Sequence, residues 1–220
     1  MNPDDIARYL TEHPEFFDEH PDVLGALSIP HPQNGAAISL MERQSLVLRD
    51  RIRQLEGRMA ELLRHGEEND VIADKVVRWA RALLMQADAA HLPDVAVGEL
   101  KEIFSVPFCA VRVWDVAPDY ADLPCAVPVG EDVVRLANSM GAPFCGSNVG
   151  FEAAQWMNEG DAAVIQSLAM LPLRVGASAA AFGLLVLGSP DKDRFQITMG
   201  TAFLSRIAEL ASAALARLRP

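Results

Sequence analysis

Two arginines stand among large apolar residues in runs that read as β-strands: Arg112 in Phe108–Trp114 and Arg174 in residues 168–175. Alternate side chains of a strand share a face. Phe108, Ala110, Arg112 and Trp114 therefore fall together, as do Leu168, Met170, Pro172 and Arg174. The opposite faces, Cys109, Val111 and Val113 with Ala169, Leu171, Leu173 and Val175, are apolar and suited to a core. Arg112 and Arg174 are the candidate holders of an anionic group such as a carboxylate or phosphate, with Trp114 and Met170 as apolar walls. The competing reading is a pair of ordinary solvent-facing arginines. A guanidinium buried without a partner is costly, so an internal partner (Asp115, Glu131 or Asp161) would make them structural.

Other chemistry-bearing residues lack a productive spacing. His13, His20 and His31 each precede a proline, and seven residues separate the first two, not the four that place metal ligands on one helical face. Cys109, Cys125 and Cys145 are odd in number and form no C-x-x-C pair, so neither a disulfide framework nor a zinc site is expected. No nucleophile elbow, phosphate loop, HExxH or Rossmann glycine pattern occurs. No catalytic residue, metal or cofactor is expected.

The elements that position these residues follow from periodicity. Asn2, Pro3, Asp4 and Asp5 open a helix, and a micro-repeat follows, His13-Pro14-Glu15-Phe16-Phe17 then His20-Pro21-Asp22-Val23-Leu24. These apolar pairs are too few for a core and should dock on another surface, so residues 1–30 are a candidate protein-binding segment. Pro30 to Gly35 is a breaker. A helix from about Ala36 then carries Met41, Ser45, Leu48, Ile52, Leu55, Met59 and Leu62 in 4-3-4-3-4-3 spacing with polar residues between. That is a coiled-coil seam of about 33 Å, and a second copy of the chain is its simplest partner. Gly66 and Asn69 interrupt the stripe, and a second helix is expected over 70–90. Beyond it we expect a helix at 94–104, strands at 108–114, 123–129, 163–175 and 180–188, a loop or short strand at 143–150, and helices at 131–140, 151–158 and 197–218. The organisation is 1–35 short Pro-punctuated helices, 36–68 a heptad stalk and 69–220 an α+β domain, with helices at both ends and strands between.

Composition narrows the class. The 220 residues carry a net charge of −11, which argues against nucleic acid as a partner. The charge is uneven: residues 1–22 hold seven acids and one base, residues 42–64 six arginines and four acids. No apolar run approaches the ~20 residues of a membrane span, and the start is acidic where a signal peptide is basic, so we expect a cytoplasmic protein without a membrane partner.

The arrangement looks like a GAF-type sensor domain behind a helical stalk. More narrowly, Tyr9-Leu10 through His13-Pro14-Glu15-Phe16-Phe17, Leu27-Ser28-Ile29-Pro30-His31, Ser39-Leu40-Met41-Glu42-Arg43-Gln44, the run Phe182–Ser189, Arg194-Phe195 and Met199–Leu204 resemble the bacterial family known as domain of unknown function 484. The resemblance spans nearly the whole chain. It implies a GAF-like antiparallel sheet flanked by terminal helices, in a proteobacterial cytoplasmic protein, and no established activity, so it supplies no catalytic residues. The cyclic-nucleotide signature and a bilin-attaching Cys-His pair are absent, and the cysteine spacing does not match the methionine-sulfoxide-reducing GAF enzymes. The expected function is a non-catalytic sensor, regulatory or interaction module, a homodimer through residues 41–62, with a small anionic ligand as a candidate. The alternatives are an enzyme using the same pocket, marked by converging titratable groups, and a scaffold whose pocket is filled by Leu, Met and Trp.

Overall fold

A computed structural model describes the chain except residues 1, 27, 31–36, 158–163, 177, 179 and 197–200; the side chains of 24–42 are likewise left undescribed. The chain divides into two compact units, Met1–Glu67 and Glu68–Pro220.

In the first unit, α1 (Pro3–Glu12), α2 (Phe16–Glu19) and α3 (Pro21–Ala26) precede a small hairpin of β1 (Ser28–Pro30) and β2 (Ala37–Ser39). The Asp5 carboxylate accepts from the Asn2 amide at 3.3 Å, closing the first turn. The micro-repeat has a packing logic. His13 lies on Tyr9 with ring centroids 4.7 Å apart, and His20 on Phe16 at 4.9 Å. Each histidine thus covers an aromatic ring four residues earlier, one helical turn back. His31 lies outside the described residues.

The helix α4 (Leu40–Met85) runs 46 residues without a break. It starts later than Ala36, because Ala37–Ser39 pairs as β2. It also passes straight through Gly66 and Asn69, where two helices were expected. One interior glycine costs a helix only about 1 kcal/mol relative to alanine, too little to end it.

The second unit is built on a four-stranded antiparallel sheet ordered β3-β6-β5-β4: β3 (Phe108–Val113), β4 (Phe144–Ser147), β5 (Ser167–Leu173) and β6 (Gly183–Ser189). One face, with Cys109, Val111, Val113, Ala169, Leu171 and Leu173, packs on the end of α4, on α5 (Leu92–Phe104) and on α8 (Ala202–Leu215). Trp79 of α4 is fully buried there, and its indole N–H donates to the Ala96 carbonyl at 3.1 Å, fastening α4 to α5. The opposite face was expected to be the ligand side, or a surface carrying solvent-facing arginines. It is instead a second core: Leu168, Met170, Leu184 and Val186 under α6 (Glu131–Ser139) and α7 (Glu152–Gln155). The sheet is covered on both sides.

Two further expectations change. Residues 123–129 hold no strand; Pro124–Ala126 is a single 3-10 turn. Pro124 and Pro128 have no N–H to donate to a ladder. The closing helix was expected from 197, but 197–200 lie outside the described residues, and α8 begins at Ala202.

Candidate functional site

The register fixes how far apart the two candidate arginines stand. Arg112 pairs with Leu184, which pairs with Pro172, two residues before Arg174. Two strand spacings across and two residues along place their Cα atoms about 12 Å apart.

Each guanidinium has protein partners. Arg112 donates to the Pro124 carbonyl at 2.5 Å and lies 5.7 Å from the centroid of the Trp156 ring. It holds down the turn that replaced the expected strand. Arg174 Nη2 reaches the carbonyls of Ala137 at 2.9 Å, Asn138 at 3.4 Å and Met140 at 2.6 Å. These are carbonyls at and just past the end of α6, which lack intrahelical donors and carry the negative end of the helix dipole. Among the candidate internal partners, Asp161 lies outside the described residues.

Trp114 and Met170 sit in the same layer. Met170 is 1% exposed, inside the second core, and Trp114 packs against that core. The Trp114 indole donates to the Ala181 carbonyl at 2.7 Å, while the Ala181 amide donates to Asn138 Oδ1 at 2.7 Å. Trp114, Asn138 and Arg174 thus form one polar girdle that ties the end of α6 to the sheet.

Arg174 also belongs to a pattern. Arg194 donates to the Phe104 carbonyl at the end of α5 at 2.9 Å, and Arg217 to Gln86 and Ala87 just beyond α4 at 3.1 and 2.7 Å. Three helix ends are closed by arginines distant in sequence. Sequence reading missed these caps, because the helix and its arginine are 34 to 131 residues apart.

An open groove of about 710 Å³ lies beside this girdle, lined among others by Pro143, Arg174, Ser205, Glu209 and Ser212. The Ser212 hydroxyl is already used: it accepts from the Arg174 amide at 3.0 Å and donates to the Ala208 carbonyl at 2.6 Å. The charged side chains lining the groove are Arg174, whose guanidinium is already engaged by the α6 carbonyls, and Glu209, with the Ser205 hydroxyl beside them.

The thiols are poorly placed for chemistry. All three cysteines are buried and free. Burial pushes the Cys109 thiol up to about 12, and it also raises Cys125 and Cys145. The thiolate, which is the nucleophile, is thereby disfavoured. His13 pairs with Glu15 at 2.9 Å and His91 with Asp88 at 2.8 Å, each pair exposed and within one turn. Asp88 Oδ1 also accepts from the Ala90 amide at 2.9 Å, and that bond, then His91, holds the carboxyl below its usual range. Among the described residues no three His, Cys, Asp or Glu side chains gather as a metal site. Among them, too, no helix is long and apolar enough to cross a membrane.

A sheet of this order between terminal helices and a second helical layer defines a GAF-type fold. The chain is similar to the GAF domain of an Acinetobacter phosphoenolpyruvate-protein phosphotransferase, at 14% identity and a TM-score of 0.50 over 66% of this chain and 92% of that one. It is also similar to free methionine-R-sulfoxide reductase of Neisseria meningitidis in complex with its substrate, at 15% identity and a TM-score of 0.47 over 66% and 87%. The protein belongs to the family "Protein of unknown function, DUF484", whose family model matches residues 1–102 and 133–219. Comparison with curated proteins gives no match.

Proposed function

We propose that this protein is a non-catalytic regulatory or protein-interaction module that dimerises through the seam of α4. One observation carries the reading. Leu48, Ile52, Leu55, Met59 and Leu62, all at heptad core positions, are 52 to 72% exposed in the single chain. A row of large apolar side chains at that spacing is an interface awaiting a partner helix. The packed second face, with Met170 in its core, supports a module that acts through its surfaces. The buried thiols and the exposed, single-turn histidine–carboxylate pairs support a role without catalysis. Residues 1–30 are the candidate contact for a protein partner: within them α1 and α2 bury none of their residues, and Ile6, Tyr9 and Val23 are exposed.

The test is the double variant Leu48→Glu, Leu55→Glu. Charge placed in the seam should convert a dimer to a monomer in size-exclusion light scattering while near-ultraviolet dichroism of the tryptophans is unchanged. An unchanged mass would remove the seam from the account.

The second reading is a small anionic ligand, favoured by the groove that Arg174 lines. It is tested by thermal shift over carboxylate and phosphate metabolites with wild type and Arg174→Ala. A compound that stabilises only wild type supports it. The Glu209 carboxylate in the same groove opposes an anion there.

A further inference from the structure

The seam also contains its own orientation. Counted from the 4-3 spacing, Ser45, Ile52 and Met59 occupy position a, and Leu48, Leu55 and Leu62 position d. In a parallel coil, Ile52 at a with leucine at d favours two strands over three or four. The direction is set by the flanking positions. Arg51 and Arg58 stand at g, Arg49 and Glu56 at e. In a parallel pair in register, g faces e of the next heptad on the other chain, so Arg51 meets Glu56 of the partner subunit, and symmetry repeats the contact. No like charges meet. An antiparallel pair with full overlap brings g against g and e against e, so Arg51 meets Arg58 of the partner subunit twice, a repulsion that offsets the two Arg49–Glu56 contacts, whereas the parallel pair has attraction without repulsion. Ser45 argues the same way: it faces its own copy when the chains are parallel, and a large leucine when they are not. The outer face already has an internal partner, since Gln54 Nε2 donates to Asp50 Oδ2 at 3.1 Å along one helix.

The heptad frame continues past the coil. After Gly66 and Asn69 the same spacing reaches Ala73, Val76, Ala80 and Leu83. Val76 is 7% and Leu83 4% exposed, both inside the core of the second unit. Those core positions are occupied within one chain and cannot serve a second copy.

Resting on the dimer reading above, we propose that residues 45–62 form a parallel, in-register two-stranded coil, and that Gly66 and Asn69 mark where the seam passes from the second copy to the chain's own domain. The partner is an identical chain, fixed in direction by the Arg51–Glu56 contacts.

Cysteine cross-linking tests this, with Ser45→Cys and Leu62→Cys made separately in the full chain. After mild oxidation each variant alone should double its mass on non-reducing gels, while wild type, whose cysteines are buried, should not. A size-tagged mixture of the two should give no 45-to-62 link, since these positions are about 25 Å apart in a parallel coil. Links formed only in the mixture, or by neither variant in a protein of dimer mass, overturn the parallel register and leave dimerisation standing. A monomer mass before oxidation overturns dimerisation itself.

Discussion

Leu62 and Val76 stand at the same heptad position of α4, fourteen residues apart, and their environments are opposite: Leu62 is 72% exposed and Val76 7%. On one helix the same heptad stripe is exposed at Leu62 and buried at Val76. The two positions should therefore answer differently to the same change. Val76→Glu buries an unpaired charge in the core and should destabilise the second unit by about 3–5 kcal/mol. Leu62→Glu should leave the thermal unfolding of that unit in place and weaken self-association. Paired melting and light-scattering curves on the two variants check this.

Arg174 closes the end of α6 through three carbonyls. Arg174→Ala should lower stability by about 1.5–3 kcal/mol, the range for hydrogen bonds from a charged group. Arg174→Lys should recover only part of it, because the bonds run from Nη2 at the tip of the guanidinium and the lysine side chain is shorter. Denaturant midpoints of the three proteins give the comparison. Equal midpoints would show that the cap contributes nothing.

Gly183 opens β6 between β3 and β5, where an added Cβ would lie 2.8 Å from the Arg112 carbonyl oxygen and 3.0 Å from Leu173 Cδ1. The carbonyl belongs to the ladder and cannot move aside. Gly183→Ala should destabilise the domain by roughly 1–3 kcal/mol by overpacking. Urea unfolding reads the loss directly. Gly57, with open space around it, should accept alanine without loss and serves as the control.

The fold was legible where the physics is local. The parity of residues 108–114 and 168–175 assigns Val111 and Leu171 correctly to the face under the terminal helices, but β5 ends at Leu173, and Val175, placed on that face by the same parity, is 45% exposed. Parity could not show that the other face would also be covered, because α6 and α7 are short and reach the sheet only through tertiary contact. The same distance hid the candidate site. Arg174 reads as a free cation until Met140, 34 residues earlier, arrives beside it. Glycine and asparagine in the α4 stripe predict a break, yet the helix backbone continues through both.

Alkaline pH offers a check on the buried thiol. Cys109 is raised from an ordinary 9.0 to about 12 by burial. The native state therefore keeps its proton where the unfolded chain has lost it. Stability from this group is complete below pH 9 and falls as pH rises toward 12, by up to roughly 1.4 kcal/mol per pH unit. Cys109→Ala should flatten that part of the stability curve. An unchanged slope would place the thiol in contact with water.

The mass of the intact chain in solution tests the central claim most directly. Multi-angle light scattering at micromolar concentration should return twice the chain mass of 23.9 kDa. A single-chain mass of 23.9 kDa under those conditions would contradict the account, because the exposed row from Leu48 to Leu62 would then have no partner.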